Sequence, residues 1–190
     1  MQDYRIVAAT ADDFAIIERI ARQTWPSTFR GILSAEQIEY MLHLMYRPEA
    51  LAEQVAGGHR FLLLLSPTTV RTRGIMAPTY PGGSAVRFRP VGYVSYQQDY
   101  LPGTTKIHKI YLLPSTQGRG YGKALLRKVE RIAVNAGQQK LRLDVNYENK
   151  AVGFYEHYGF VKIGRFDTDI GNGYLMEDWQ MEKPLVSTSP

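Results

Sequence analysis

The stretch Tyr111-Leu112-Leu113-Pro114-Ser115-Thr116-Gln117-Gly118-Arg119-Gly120-Tyr121-Gly122-Lys123 leads from a β-rich run, through a glycine-rich loop, into a basic helix. Glycines let a chain turn tightly and bring backbone N–H groups against a ligand, and the helix N-terminus adds partial positive charge, so the arrangement suits a phosphate. A Walker A loop is excluded, because Gln117 stands where its first glycine should be and Ala124 follows Lys123 in place of Ser or Thr. The dinucleotide fingerprint is excluded as well: Gly118, Gly120 and Gly122 are evenly spaced and come late in the chain.

Gln117-x-x-Gly120-x-Gly122 after a strand ending in Pro resembles the acetyl-coenzyme A motif of the GCN5-related N-acetyltransferase family. A second stretch, Asn146 to Phe160, is similar to that family's second signature: an Asn, an Ala, the aromatic pair Phe154-Tyr155, then Gly159-Phe160. The two occur in order and about the expected distance apart, and the element order follows the family from about Tyr4 to Lys183. The resemblance implies that backbone groups of Leu112 and Leu113 hold the pantetheine arm, as in strand addition. Gln117, Gly118, Arg119, Gly120, Tyr121, Gly122 and Lys123 would hold the pyrophosphate, and Asn149, with Asn146 as fallback, would touch the coenzyme.

Acetyl transfer needs a deprotonated amine, a polarised thioester carbonyl and a proton for the leaving thiolate. By its place in the second signature, Tyr155 is the candidate proton donor. Many relatives place a Glu early in the strand before the loop; here that position is Lys106, so a direct carboxylate base is not indicated. His108, two residues on, is the alternative by intrinsic pKa, and an ordered water chain is another.

The net charge of +5 is unevenly spread. Arg119 to Arg142 hold seven basic residues against Glu130, whereas residues 34–56 and 165–183 each balance to −3. On the resemblance, the basic stretch falls at the coenzyme phosphates and the acidic ones around the acceptor, where carboxylates would attract a cationic amine. Segments around Glu39 and Tyr40, and from Asp169 through Tyr174 to Asp178, look similar to bacterial acetyltransferases of the polyamine type. That makes Glu39, Tyr40, Asp169 and Tyr174 the candidate acceptor residues. The expected activity is acetyl transfer from acetyl-CoA to a primary amine of a small cationic molecule such as a polyamine. Acetylation of a protein lysine or N-terminus is the alternative, and a coenzyme-binding sensor without turnover is the reading from another class. Nucleic acid is not an expected partner, since the acidic stretches would repel its backbone; a homodimer is left open.

These residues need a scaffold, and the apolar pattern supplies one. With 190 residues, 44% of them hydrophobic, there is material for one core, read as a single domain over 1–184 with 185–190 a tail. The absence of cysteine excludes disulfides, thiolate metal sites and cysteine nucleophiles, and no metal is expected. With no apolar run long enough to span a membrane and no basic, apolar leader, the expectation is a soluble cytoplasmic protein. Tyr4 to Ala8 reads as a strand, Thr10 and Asp13 cap a helix running to a turn at Trp25-Pro26-Ser27, and Ser34 and Pro48 open two more helices. Strands follow at 59–65, 91–98 and 106–113, with residues 66–90, rich in Pro and Gly, between the first two as a long exposed loop. A helix from Tyr121 to Gly137, a strand at 141–145, a helix at 150–158 and two strands joined by Gly171-Asn172-Gly173 complete the order. The predicted class is α+β, layered α/β/α, with a mixed, mostly antiparallel sheet of about seven strands and helices on both faces.

Overall fold

The computed structural model describes residues 4–68 and 87–185. The chain runs β1 (Arg5–Ala8), α1 (Phe14–Thr28), α2 (Ala35–Tyr46), α3 (Pro48–Ala56), β2 (Arg60–Thr68), β3 (Arg87–Leu101), β4 (Thr104–Leu112), α4 (Tyr121–Asn135), β5 (Lys140–Asn146), α5 (Ala151–Tyr158), β6 (Val161–Asp169) and β7 (Leu175–Pro184). The strands form one sheet in the order β1-β2-β3-β4-β5-β7-β6. Among the described residues only β4 and β5 pair in parallel, because α4 carries the chain back across the sheet between them.

Each face of the sheet carries an apolar layer, as the periodicity requires. On one side Tyr121, Leu125, Val129 and Ala133 of α4, with Val152 and Tyr155 of α5, pack on Leu62, Val94, Ile107, Leu143 and Met181. On the other, Ile17, Trp25, Leu42 and Leu51 of α1 to α3 cover Phe61, Leu63 and Tyr93. The Ser34 side chain caps α2 by accepting from the Gln37 N–H.

Two expectations are corrected. Trp25-Pro26-Ser27 is not a turn but the last turn of α1. Near a helix end the N–H that Pro26 lacks removes a single bond, and Trp25, 2% exposed, anchors the segment against Phe29, Tyr46 and Tyr111. Residues 66–90 are not loop throughout: Ser66, Pro67 and Thr68 pair with Arg89, Phe88 and Arg87. Pro90 hid this continuation, and a bulge at Leu64/Leu65 accommodates it in the ladder. The rest of that expected loop, 69–86, lies outside the described residues.

The contact that sets the site is between β3 and β4. Gly92 lies opposite Leu112, and a Cβ there would sit 2.7 Å from the Tyr111 carbonyl oxygen and run into the Leu112 side chain. Gly92→Ala should therefore destabilise the fold by about 1–3 kcal/mol, as expected for overpacking. A lowered urea midpoint at unchanged slope would verify this; an unchanged midpoint would refute so close an approach.

Candidate active site

β4 and β5 pair only over Thr104–Ile107 and Lys140–Leu143, although β4 continues to Leu112 and β5 to Asn146. Beyond Ile107 the strands separate, and a cavity of about 1030 Å³ opens between them, lined on one side by residues 107–112 and on the other by Leu143 to Asn146. The bulge that re-aims β4 is His108: the register with β3 passes from Ser95↔Lys109 to Tyr96↔Ile107, leaving His108 as the extra residue.

Backbone direction in β4 decides which groups face the gap. The Leu113 N–H donates to the Val91 carbonyl at 2.8 Å, and the Leu113 carbonyl accepts from both the N–H and the hydroxyl of Thr116. Antiparallel pairing alternates, so Leu112 and Ile110 turn their backbone groups away from β3, into the cavity. Of the expected pair, Leu112 turns its backbone groups to the gap, as Ile110 does, whereas the N–H and carbonyl of Leu113 are bonded within the protein.

The loop after β4 ends at Gly120, which forms the N-cap of α4 with φ +75°. A side chain there would meet no atom within 4 Å, so the glycine answers to backbone conformation and to the open space above it. The first N–H groups of α4, those of Tyr121, Gly122 and Lys123, have no carbonyl one turn earlier to bond and point out of the helix end. Gln117, Gly118, Gly120, Gly122 and Lys123 line the cavity. Arg119 is exposed and not among the lining residues. The Tyr121 side chain is buried, its hydroxyl 3.0 Å from that of Ser66, which leaves only its backbone N–H for a ligand. Of the seven basic residues between Arg119 and Arg142, Lys123 alone lines the cavity; Lys140 and Arg142 pair with Glu182.

Tyr155 on α5 lines the same cavity at 7% exposure, between Phe154 and Phe160, and burial raises its phenol above the usual range. Asn149 and Asn146 also reach the cavity. The Asn149 Oδ1 accepts from the Ala151 N–H at 2.9 Å and thereby fixes the start of α5, and that of Asn146 accepts from the Glu148 N–H.

His108 borders the cavity but stacks on His59 at 3.8 Å between ring centroids, with Nε2 at 3.2 Å from Gln97 Oε1. Burial, helped by His59, Lys106 and Lys109, pushes its pKa down to about 2. An imidazole so reluctant to hold a proton is a poor match to a general base. Lys106 binds Asp144 at 2.6 Å, and Lys109 donates to Gln54 Oε1, with burial holding its pKa at about 8.

None of the four expected acceptor residues lines the cavity, and two of them, Tyr40 and Tyr174, touch. Tyr40 stacks on Tyr174 at 5.4 Å and donates to the Ile170 carbonyl at 2.7 Å, which clasps α2 to the turn before β7. Glu39 is held by Arg22, and the Asp169 carboxylate accepts from the Gly171 N–H. The residues that do line this side are mostly apolar, Trp25, Phe29, Met41, Leu175 and Met176 among them, and the lining acids are Asp144, Glu148 and Asp178. Asp178 was not singled out as a site residue by the sequence. It stands opposite Asn146 across β5 and β7, a pairing between distant segments that no local motif announces. Burial first, then the Asp144 carboxylate, raise its pKa to about 6.

Residues 80–160 match the Acetyltransferase (GNAT) family. Spermidine N(1)-acetyltransferase of Thermoplasma acidophilum is 27% identical over 168 residues, 87% of this chain and 91% of that protein. Thialysine N-epsilon-acetyltransferase of Mus musculus is 35% identical over 89 residues, 45% of this chain and 50% of that protein. In fold, the chain is similar to PaiA N-acetyltransferase of T. acidophilum, solved with coenzyme A, at a TM-score of 0.71 and 24% identity over 95% of this chain and 98% of that one. A GCN5-related N-acetyltransferase from Rhodopseudomonas palustris gives a TM-score of 0.73 at 22% identity, over 97% and 98% of the two chains. Split strands, glycine loop and buried tyrosine agree with these likenesses: residues 80–160 match the Acetyltransferase (GNAT) family, and the chain as a whole is similar to N-acetyltransferases in sequence and in fold.

Proposed function

We propose that this enzyme moves the acetyl group of acetyl-CoA to a primary amine of a small cationic molecule whose charges sit on a methylene chain, a polyamine being the first acceptor to test. The observation that carries the reading is the cavity between β4 and β5, which brings the backbone of Ile110 and Leu112, the glycine loop and Tyr155 to one space. Its volume, about 1030 Å³, has room for a coenzyme arm and an acceptor together. The residues fit the donor. Unpaired strand groups suit the pantetheine amides, and the open loop at Gly118 and Gly120 with the α4 N-terminus suits a pyrophosphate. Acetyl-CoA supplies the activated acyl group. Tyr155 would hold a proton for the sulfur, its neutral form favoured by burial.

Apolar walls that suit methylenes, three lining carboxylates that suit cations, and similarity to a spermidine acetyltransferase over 87% of this chain support the acceptor half. Glu39, Tyr40, Asp169 and Tyr174 would act on the acceptor indirectly, through the clasp that places Leu175 and Met176.

Coenzyme A should raise the melting temperature of the protein, since a ligand of the folded state stabilises it by mass action. Gly120→Val should abolish that shift by straining the N-cap and filling the space above it; equal shifts in both proteins would disprove the loop assignment. A panel of amines with acetyl-CoA, followed by free thiol release, tests the activity. Polyamines should exceed neutral-tailed amines of similar length, and Tyr155→Phe should lower turnover by roughly ten- to a thousandfold with little change in coenzyme affinity. Turnover unchanged by that substitution when chemistry limits the rate would remove Tyr155 from the mechanism. A preference for peptide acceptors would favour protein acetylation instead.

A further inference from the structure

The transfer reading leaves the base unassigned. We propose that Asp178 receives the acceptor's ammonium group and takes its proton, acting as the general base; this rests on the transferase reading above.

Asp178 is 6% exposed and lines the same cavity as Tyr155. Among the described residues no hydrogen bond or ion pair reaches its carboxylate, although nearly every other acid of this region has one. Asp144 binds Lys106, Glu182 binds Lys140 and Arg142, and Glu177 binds Arg165. A buried carboxylate without a partner is costly to keep, and an ammonium entering the cavity would relieve that cost. Its surroundings define the ligand further. Trp25, Phe29, Met41 and Met176 make the adjoining wall apolar, which limits competing water and strengthens a single ion pair.

The other candidates for the base are occupied or mismatched. His108 is packed on His59, and Lys109 is a cation bonded to Gln54. The groups that bear on Asp178 are Asp144 of β5, Lys106 and Tyr111 of β4, and Asp167 of β6; the first and last oppose its ionisation and Lys106 favours it. Their balance, with burial dominant, holds the carboxyl at about 6. It is therefore ionised at neutral pH yet a stronger base than an exposed aspartate. Burial disfavours the charged form of each partner, so an ammonium–carboxylate pair at Asp178 shifts towards its neutral form, which frees the amine.

The protons then balance. The first ammonium proton passes to Asp178 and on to water. The amine lone pair forms the C–N bond at the thioester carbon, and the C–S bond breaks. The sulfur takes the Tyr155 proton, and the second proton lost from nitrogen restores the phenol.

Asp178→Asn keeps size and removes both charge and basicity. In the full chain, kcat/KM for the best amine should fall roughly a hundredfold or more and lose its acid limb near pH 6. Asp178→Glu should restore part of both. The coenzyme A melting shift should persist, and the Asn variant should melt no lower than the parent because an unpaired buried charge has gone. Without acetyl donor, a polyamine should perturb the Asp178 carboxyl signal in carbon NMR. An Asn variant within threefold of the parent and with the same acid limb would overturn the proposal, as would an unmoved carboxyl signal, while leaving the transferase reading intact. Loss of the coenzyme shift in the parent would instead bring down the transferase reading, and the proposal with it.

Discussion

The site depends on four residue pairs of parallel β-structure that go no further. Over Thr104–Ile107 and Lys140–Leu143 the sheet is continuous; beyond them the twist of the sheet and the bulge at His108 carry β4 away from β5. Unpaired backbone groups inside a protein are expensive, and an extended ligand that satisfies them gains what the sheet gave up. The glycine loop lies at the far end of β4, and Tyr155 lies in the middle of α5, so one interruption of pairing assembles donor groups from three places.

Electrostatics refine this frame in a way that net charge does not convey. Two cations of the basic stretch, Lys140 and Arg142, are gathered by Glu182, while the one acid within it, Glu130, binds Lys183 from outside the stretch. Attraction for phosphate falls to Lys123 and to the oriented amides of α4. Of the acids expected around an acceptor, Glu39 and Asp169 are likewise engaged locally, and the cavity's acidic charge comes down to Asp144, Glu148 and Asp178, of which Asp178 is buried.

How much of this could be read from the sequence follows from the range of each interaction. Gln117 to Lys123 and Lys150 to Gly159 are local: turn, cap and helix form within a dozen residues, so composition reports them directly. The number and mixed character of the strands were also legible, because both faces of the sheet leave an apolar record. The hydrogen-bond phase of β4 was not. Whether Ile110 or Leu113 faces the gap depends on the register with β3 and on one bulged residue. Asp178 was legible only as one acid in an acidic stretch, since its place beside Asn146 arises from the pairing of β5 with β7. Pro26 and Pro90 misled for one reason: a proline signals a break, but tertiary packing tolerates it at a helix end or a bulge.

The two halves of the cavity are built from very different spans of chain. The half proposed for the coenzyme comes from β4, α4, β5 and α5, contiguous from Thr104 to Tyr158, whereas the wall proposed for the acceptor is closed by the clasp of Tyr40 on Ile170, 130 residues apart. Closing so long a loop comes late in folding and is undone early, because two hydrogen bonds, from Tyr40 and Gln37, one ring contact and the packing of Ile170 and Met176 must offset the entropy of both chain ends. Mild denaturation should thus leave a protein that still grips its coenzyme and no longer orders its acceptor, a state in which occupancy of the donor site gives no measure of catalytic competence.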